Sequence, residues 1–208
     1  MTTSKAQQTA QKIILAAAVL FDKKGYYNVS IKEIAAKASV NSALISYHFG
    51  GKQQLYKDVL TRQALMVDDL QKNIMSRECS ALEKLRIYLA DIMQLHFDSK
   101  QHVRLLYLEM LNPTGICDQY IENRLGAIHS FTAALVKNAI AEHSIHPLPE
   151  PDYAAFILES ITVLSFLVRK QIKILSPNNL TERELMDKVI AFYLNSLAIV
   201  KGDVQHVN

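Results

Sequence analysis

The sequence predicts an all-α protein of about nine helices. Half of its 208 residues are apolar and 21% are charged, a balance that packs a core rather than staying disordered. Helix formers (Ala, Leu, Lys, Gln, Glu) dominate, whereas Gly (6) and Pro (5) are scarce. Apolar residues recur three and four positions apart, as one face of a helix requires.

Ile13, Ala17, Leu20 and Phe21 mark a first helix from about Thr9 to Lys24, with Gly25 as its stop. After the connector Tyr26-Tyr27-Asn28-Val29, the run Ser30-Ile31-Lys32-Glu33 is a capping box that opens a short second helix, Ile31 to about Ala38. Ser39-Val40 turns the chain, Asn41 can cap a third helix, and Gly50-Gly51 ends it after Phe49. A long fourth helix runs from about Lys52 to Ile74. Its set Leu55, Val59, Leu65, Met66 and Leu70 is imperfectly periodic, as expected of a helix joining two domains. Further helices are expected over 80–97, 101–111 and 117–143, the last two separated by Asn112-Pro113-Thr114-Gly115. The segment His146-Pro147-Leu148-Pro149-Glu150-Pro151 is extended, because each proline disfavours helix before it. Helices over 152–175 and 181–200, joined by Ser176-Pro177-Asn178-Asn179, complete the chain. The first of these is apolar on more than one side, so a partner subunit is a natural cover.

Charge is unevenly placed. Residues 1–60 carry eight lysines against Asp22, Glu33 and Asp58, a net +5, while the remainder carries −2. A basic head on a near-neutral body fits one end meeting phosphates. Cys79 and Cys117 lack metal or redox spacing and suit a reduced, cytoplasmic setting. The N-terminus opens polar, and Lys12 and Lys23 flank the stretch Ile13–Phe21, so no signal peptide is read. The most membrane-like run, Tyr153–Val168, is short at 16 residues and contains Glu159, so it reads as an interface helix rather than a span.

The chemistry sits in residues 30–55. Two short helices around a tight turn pack closely only where small residues stand at the crossing, and Ala35, Ala36 and Ala38 supply them. Ile34, Val40, Ile45 and Phe49 can form a small core against the first helix. Ser42, Ala43, Ser46 and Tyr47 then fall together on the third helix as a slim, uncharged polar face that a major groove admits. Tyr47 and His48 can donate to phosphates, and Lys52 stands where a new helix N-terminus welcomes an anion. The whole is a helix-turn-helix for double-stranded DNA.

Residues 30–55 resemble the DNA-binding segment of the TetR family of repressors, through Ser30-x-x-x-Ile34-Ala35-x-x-Ala38-Ser39-Val40-Asn41 followed by Ile45-Ser46-Tyr47-His48-Phe49-Gly50-Gly51-Lys52-x-x-Leu55. The resemblance implies a DNA-binding domain over 1–52 and a helical ligand-binding and dimerisation domain over 53–208. It implies a homodimer that binds operator DNA, pairs through its last two helices and is released by a small effector. On this pattern Ser30 caps its helix and donates to phosphate, and Lys32 reaches the backbone or a guanine edge. Asn41, Ser42, Ala43, Ser46 and Tyr47 meet bases or phosphates, while His48 and Lys52 position the domain. The chain departs from the family in having Ser39 at the usual turn glycine, Ser30 at a frequent threonine and Ser46 at a frequent tyrosine. Ser39 should strain the turn slightly, and Ser46 removes one contact that relatives make.

The C-terminal half is less specific. Met66, Met93, His96, Phe97, Tyr107, Met110 and Phe131 either line a cavity for a largely apolar ligand or fill an ordinary core. Phe156, Ile157, Ile161, Leu164, Val168, Val189, Phe192 and Tyr193 are the candidates for the dimer interface. His143 and His146 are spaced i, i+3, but no third ligand lies near them in sequence, and His96 and His102 fall on different helices, so no metal site is read. There is no phosphate loop, nucleophile motif or His–carboxylate signature for catalysis, and no cofactor is called for. A DNA-binding regulator controlled by a partner protein is the alternative reading.

Overall fold

The computed structural model describes residues 4–97, 104–147, 150–167 and 180–199. Among them run nine helices: α1 (Lys5–Lys24), α2 (Ile31–Ala38), α3 (Ala43–Phe49), α4 (Lys52–Met75), α5 (Ala81–Phe97), α6 (Arg104–Leu111), α7 (Asp118–Ala141), α8 (Pro151–Leu167) and α9 (Glu182–Leu197). His102, Val103, Leu148, Pro149, Val168 and the Ser176-Pro177-Asn178-Asn179 turn lie outside the described residues. No described helix is long and apolar enough to cross a membrane.

The chain divides into two compact units. Described residues within 1–66 and 98–122 form the first, and those within 67–97 and 123–208 the second. Both α4 and α7 therefore contribute residues to each.

In the first unit, α1 packs on α2, α3 and α6. Helix α1 begins four residues before the periodicity suggested. Ser4 and Gln7 form a capping box there: the Ser4 N–H donates to Gln7 Oε1 at 2.8 Å, and the Gln7 N–H donates to Ser4 Oγ at 3.2 Å. Ile13, Ala17, Phe21, Ile34 and Ile45 are fully buried together with Leu55 and Leu60. Burial of a side chain such as Phe21 stabilises by about 1.5–3 kcal/mol. Ala35 and Ala38 are buried as expected of a close crossing, whereas Ala36 faces solvent. At about 100° per residue, positions 34, 35 and 38 share a face and 36 cannot. Leu20 and Val40, expected in the core, are only half-buried.

The turn between α2 and α3 depends on Ser39, which adopts φ 55° and ψ 47° in the left-handed region. Its N–H donates to Ala36 O at 3.2 Å and that of Val40 to Ala35 O at 3.0 Å, closing the helix end. A Cβ in this conformation costs about 1–2 kcal/mol, partly offset because serine loses less backbone freedom on folding than glycine. Ser39→Gly should raise stability by about 0.5–1 kcal/mol, read as a higher midpoint in chemical denaturation with an unchanged slope.

In the second unit, α5, α8 and α9 pack pairwise. Leu85, Leu89, Leu135, Val136, Leu158, Met186 and Leu194 form its core. Arg124 pairs with Asp68, and His129 Nδ1 approaches Glu159 Oε2 at 3.1 Å, linking α7 to α8. The end of α9 is tied by a short antiparallel bridge between Ile145 and Ala198, in which the His146 N–H donates to Leu197 O at 2.9 Å.

Candidate nucleic-acid interface

Ser30 caps α2 through a reciprocal box. Its Oγ accepts from the Glu33 N–H at 3.2 Å, and its own N–H and hydroxyl donate to Glu33 Oε2 at 2.8 and 2.9 Å. The other carboxylate oxygen of Glu33 takes Lys24 Nζ at 2.6 Å. The Lys24 bond, followed by the Ser30 donors, pulls the Glu33 carboxyl down to about 2. The Ser30 hydroxyl proton is thus held by Glu33, and a phosphate would have to compete for it.

Helix α3 begins under Asn41, whose Oδ1 accepts the Ala43 N–H at 2.8 Å. Ser42 precedes the helix with φ −57° and ψ −30° and makes no cap bond of its own. Ile45 and Phe49 anchor the inner face. Ser42, Ala43, Ser46 and Tyr47 are exposed on the outer one, Tyr47 to 80%. A tyrosine so exposed on a well-anchored helix has surface available to a partner. His48 is half-buried, its ring edge-on to Tyr47 at 5.0 Å. Gly50, at φ 71°, ends the helix by donating its N–H to Ser46 O at 2.8 Å. In the same unit Lys23, Lys24, Lys32 and Lys37 are exposed on α1 and α2.

Lys52 opens α4 with its ammonium 4.3 Å from the centre of the Tyr26 ring. Burial lowers the affinity of this amine for its proton, and the nearby Glu33 carboxylate opposes that shift. Tyr26 in turn lies 4.8 Å from the Tyr56 ring and 6.0 Å from that of Phe21. Tyr56 is 1% exposed and donates its hydroxyl to Glu109 Oε2 at 2.6 Å. Burial and the Glu109 carboxylate push the Tyr56 phenol far up, so it stays a neutral donor. The second Glu109 oxygen accepts the Thr114 N–H at 3.0 Å and the Thr114 hydroxyl at 2.6 Å. The sequence reading missed this chain of contacts. Its one visible trace was an acid alone among Leu105, Leu106, Tyr107, Leu108, Met110 and Leu111, where a buried carboxylate needs partners.

The candidate pocket residues divide between the units. Met66, Tyr107 and Met110 belong to the first, where Tyr107 is buried and the methionines half-buried. In the second, Met93 is buried in the core with Phe97 and Phe131 packed against it, and His96 stacks on Phe166 at 4.6 Å. Of the candidate interface residues, Phe156, Ile157, Leu164 and Phe192 are exposed, and so is Tyr153, which the sequence reading passed over. Ile161, Val189 and Tyr193 pack against their own unit's core, with the Tyr193 hydroxyl donating to Ala154 O at 3.3 Å. Among the described residues no three His, Cys, Asp or Glu side chains gather to hold a metal.

Known proteins bear on this architecture in three ways. Residues 13–59 match the family described as bacterial regulatory proteins, tetR family. The chain is 26% identical over 163 residues to the "Probable HTH-type transcriptional regulator YttP" of Bacillus subtilis, spanning 76% of this chain and 77% of that one. In fold it is similar to a TetR-family transcriptional regulator from Agrobacterium tumefaciens, at TM-score 0.77 and 16% identity over 94% of this chain and 100% of that one. It is similar also to AibR, at TM-score 0.72 and 19% identity over 88% of this chain and 97% of that one. These matches are to regulators of transcription and not to enzymes. The capped helix-turn-helix and the match across residues 13–59 show that the chain carries the DNA-binding segment of the tetR family of bacterial regulatory proteins, on a helical fold shared with regulators of that family.

Proposed function

We propose that the protein is a cytoplasmic repressor that binds an operator as a homodimer and is released by a small, largely apolar molecule. Residues 1–52 form the DNA-reading head, and residues 53–208 carry ligand binding and dimerisation. The observation that carries this reading is the exposed α3 face, Ser42, Ala43, Ser46 and Tyr47, set between the Asn41 cap and the Lys52 ammonium. In this reading α3 enters the major groove, with Ser42, Ala43, Ser46 and Tyr47 toward base edges. Lys32, His48 and Lys52 meet phosphates, and Ser30 and Asn41 act first as caps. A twofold dimer sets two such helices on half-sites about 34–36 Å apart.

Release follows if the effector binds more tightly to a conformation in which that spacing is lost, since differential affinity is what moves such an equilibrium. AibR, with which this chain shares its fold, is described in complex with isovaleryl coenzyme A and operator DNA, a precedent for effector and operator on one such scaffold. The burial of Met93 and His96 favours a second reading, in which a partner protein rather than a small molecule sets the response.

The test is binding to duplex DNA from upstream of the protein's own gene, measured across salt concentrations. Each phosphate contact contributes about 0.9 to the slope of log affinity against log salt. Lys52→Ala should weaken binding to every duplex and flatten that slope by about 0.9 per protomer. Unchanged affinity and slope would remove Lys52 from the interface.

A further inference from the structure

We propose that Tyr26 is a positioning residue for DNA binding, its ring face holding the Lys52 ammonium where a phosphate is met. The proposal rests on the phosphate-binding reading of Lys52 and adds to it a residue outside the helix-turn-helix pattern.

A free lysine side chain explores many rotamers, and that freedom is lost when it docks on a phosphate. A cation held in advance loses less. The partner that holds it also matters. A carboxylate would cancel the charge and compete with the phosphate, whereas an aromatic face attracts the ammonium through its quadrupole and leaves the charge intact. The nearby carboxylate, Glu33, is already engaged by Lys24 at 2.6 Å and by Ser30. The Lys52 ammonium instead lies 4.3 Å over the Tyr26 ring.

The ring is itself fixed. Gly25 turns the chain at φ 75° and ψ 163°, a conformation that essentially only glycine tolerates, and so places Tyr26 beside α4. Tyr56 at 4.8 Å and Phe21 at 6.0 Å flank the Tyr26 ring, and Phe21 and Tyr56 meet edge-on at 5.0 Å. The Tyr56 hydroxyl is pinned to Glu109. The ammonium thus stands on a pile of aromatic rings rooted in buried structure.

The experiment uses the full-length protein and a duplex that the wild type binds. Affinity and salt slope are measured for wild type, Lys52→Ala, Tyr26→Phe, Tyr26→Leu and the double variant Tyr26→Leu/Lys52→Ala. A cation–π contact of this kind corresponds to about threefold per protomer, so about tenfold for a dimer. Tyr26→Leu should weaken binding by about tenfold, Tyr26→Phe should restore it to within about twofold, and Tyr26→Leu should add nothing once Lys52 is alanine. In the DNA-free protein, NMR should find the Lys52 ε-methylene protons shifted upfield by the ring, and at ordinary positions in Tyr26→Leu. Tyr26→Met, which keeps apolar volume without a π face, takes its place if Tyr26→Leu does not fold. Equal loss from Tyr26→Leu in both Lys52 backgrounds, or no loss in either, would overturn the proposal while leaving the Lys52 reading intact. If Lys52→Ala itself changes neither affinity nor slope, the underlying reading fails and the proposal with it.

Discussion

In the proposed homodimer, replacing Phe156 and Leu164 with aspartate is expected to yield a monomer and to lower affinity for operator DNA by about a hundredfold or more. The two side chains are 62% and 61% exposed on α8, beside Tyr153 at 64% and Ile157 at 43%. Completing the burial of such a side chain stabilises by about 1–2 kcal/mol, and a twofold interface counts each one twice. A carboxylate placed there would have to be desolvated without a counter-ion, which an apolar interface does not tolerate. Since neither side chain belongs to its own unit's core, the folded protomer should persist with its helicity and melting behaviour nearly unchanged. The loss of affinity follows because two linked heads bind about 10²–10⁴ more tightly than one. Sedimentation velocity together with operator titration checks both parts. A variant that stays dimeric would show that the subunits meet elsewhere.

Glu109→Ala is expected to lower stability by roughly 3 kcal/mol. It removes the acceptor for the Tyr56 hydroxyl, the Thr114 N–H and the Thr114 hydroxyl at one stroke. Each donor left buried costs about 1–3 kcal/mol, reduced where water enters the space left by the side chain. For a chain of this length that corresponds to a melting temperature lower by about 6–12 °C. Glu109→Gln, which keeps one acceptor oxygen, should fall between the two. Thermal unfolding followed by far-ultraviolet circular dichroism measures the change. A shift below about 0.5 kcal/mol would show that the network is solvated and contributes little.

Local rules in the sequence were enough for the helices and turns of the head. Ser30 and Glu33 mark the start of α2 because both halves of a capping box stand three residues apart, and the structure begins α2 at Ile31. The same rule applied to Ser4 and Gln7 would have placed the start of α1 at Lys5, but a polar opening without apolar periodicity masked it. Ser39 carried its own signal, since a serine in a glycine's place at a helix end implies a left-handed residue under strain. What stayed hidden is what depends on distance in sequence. Lys24 and Glu33 are nine residues apart, Lys52 and Tyr26 twenty-six, and Tyr56 and Glu109 fifty-three, so no helical period connects them.

Periodicity also shows that a helix has an apolar face without showing what covers it. Ile161, Val189 and Tyr193 turn toward their own core, whereas Phe156, Leu164 and Phe192 do not. For the same reason Met93 and Phe131 could be marked as inward-facing but not divided between cavity and core.

In the proposed function the outer face of α3 reads DNA sequence while Lys52 and the exposed lysines of α1 and α2 supply affinity. Selection of bound duplexes from a randomised pool separates these two roles. The wild type should enrich two inverted half-sites about one helical turn apart or a multiple of that spacing, changes at Ala43, Ser46 and Tyr47 should alter which bases are enriched, and Lys52→Ala should weaken retention without altering them. Recovery of no preferred sequence, with retention indifferent to salt, would rule out a DNA-reading role for α3.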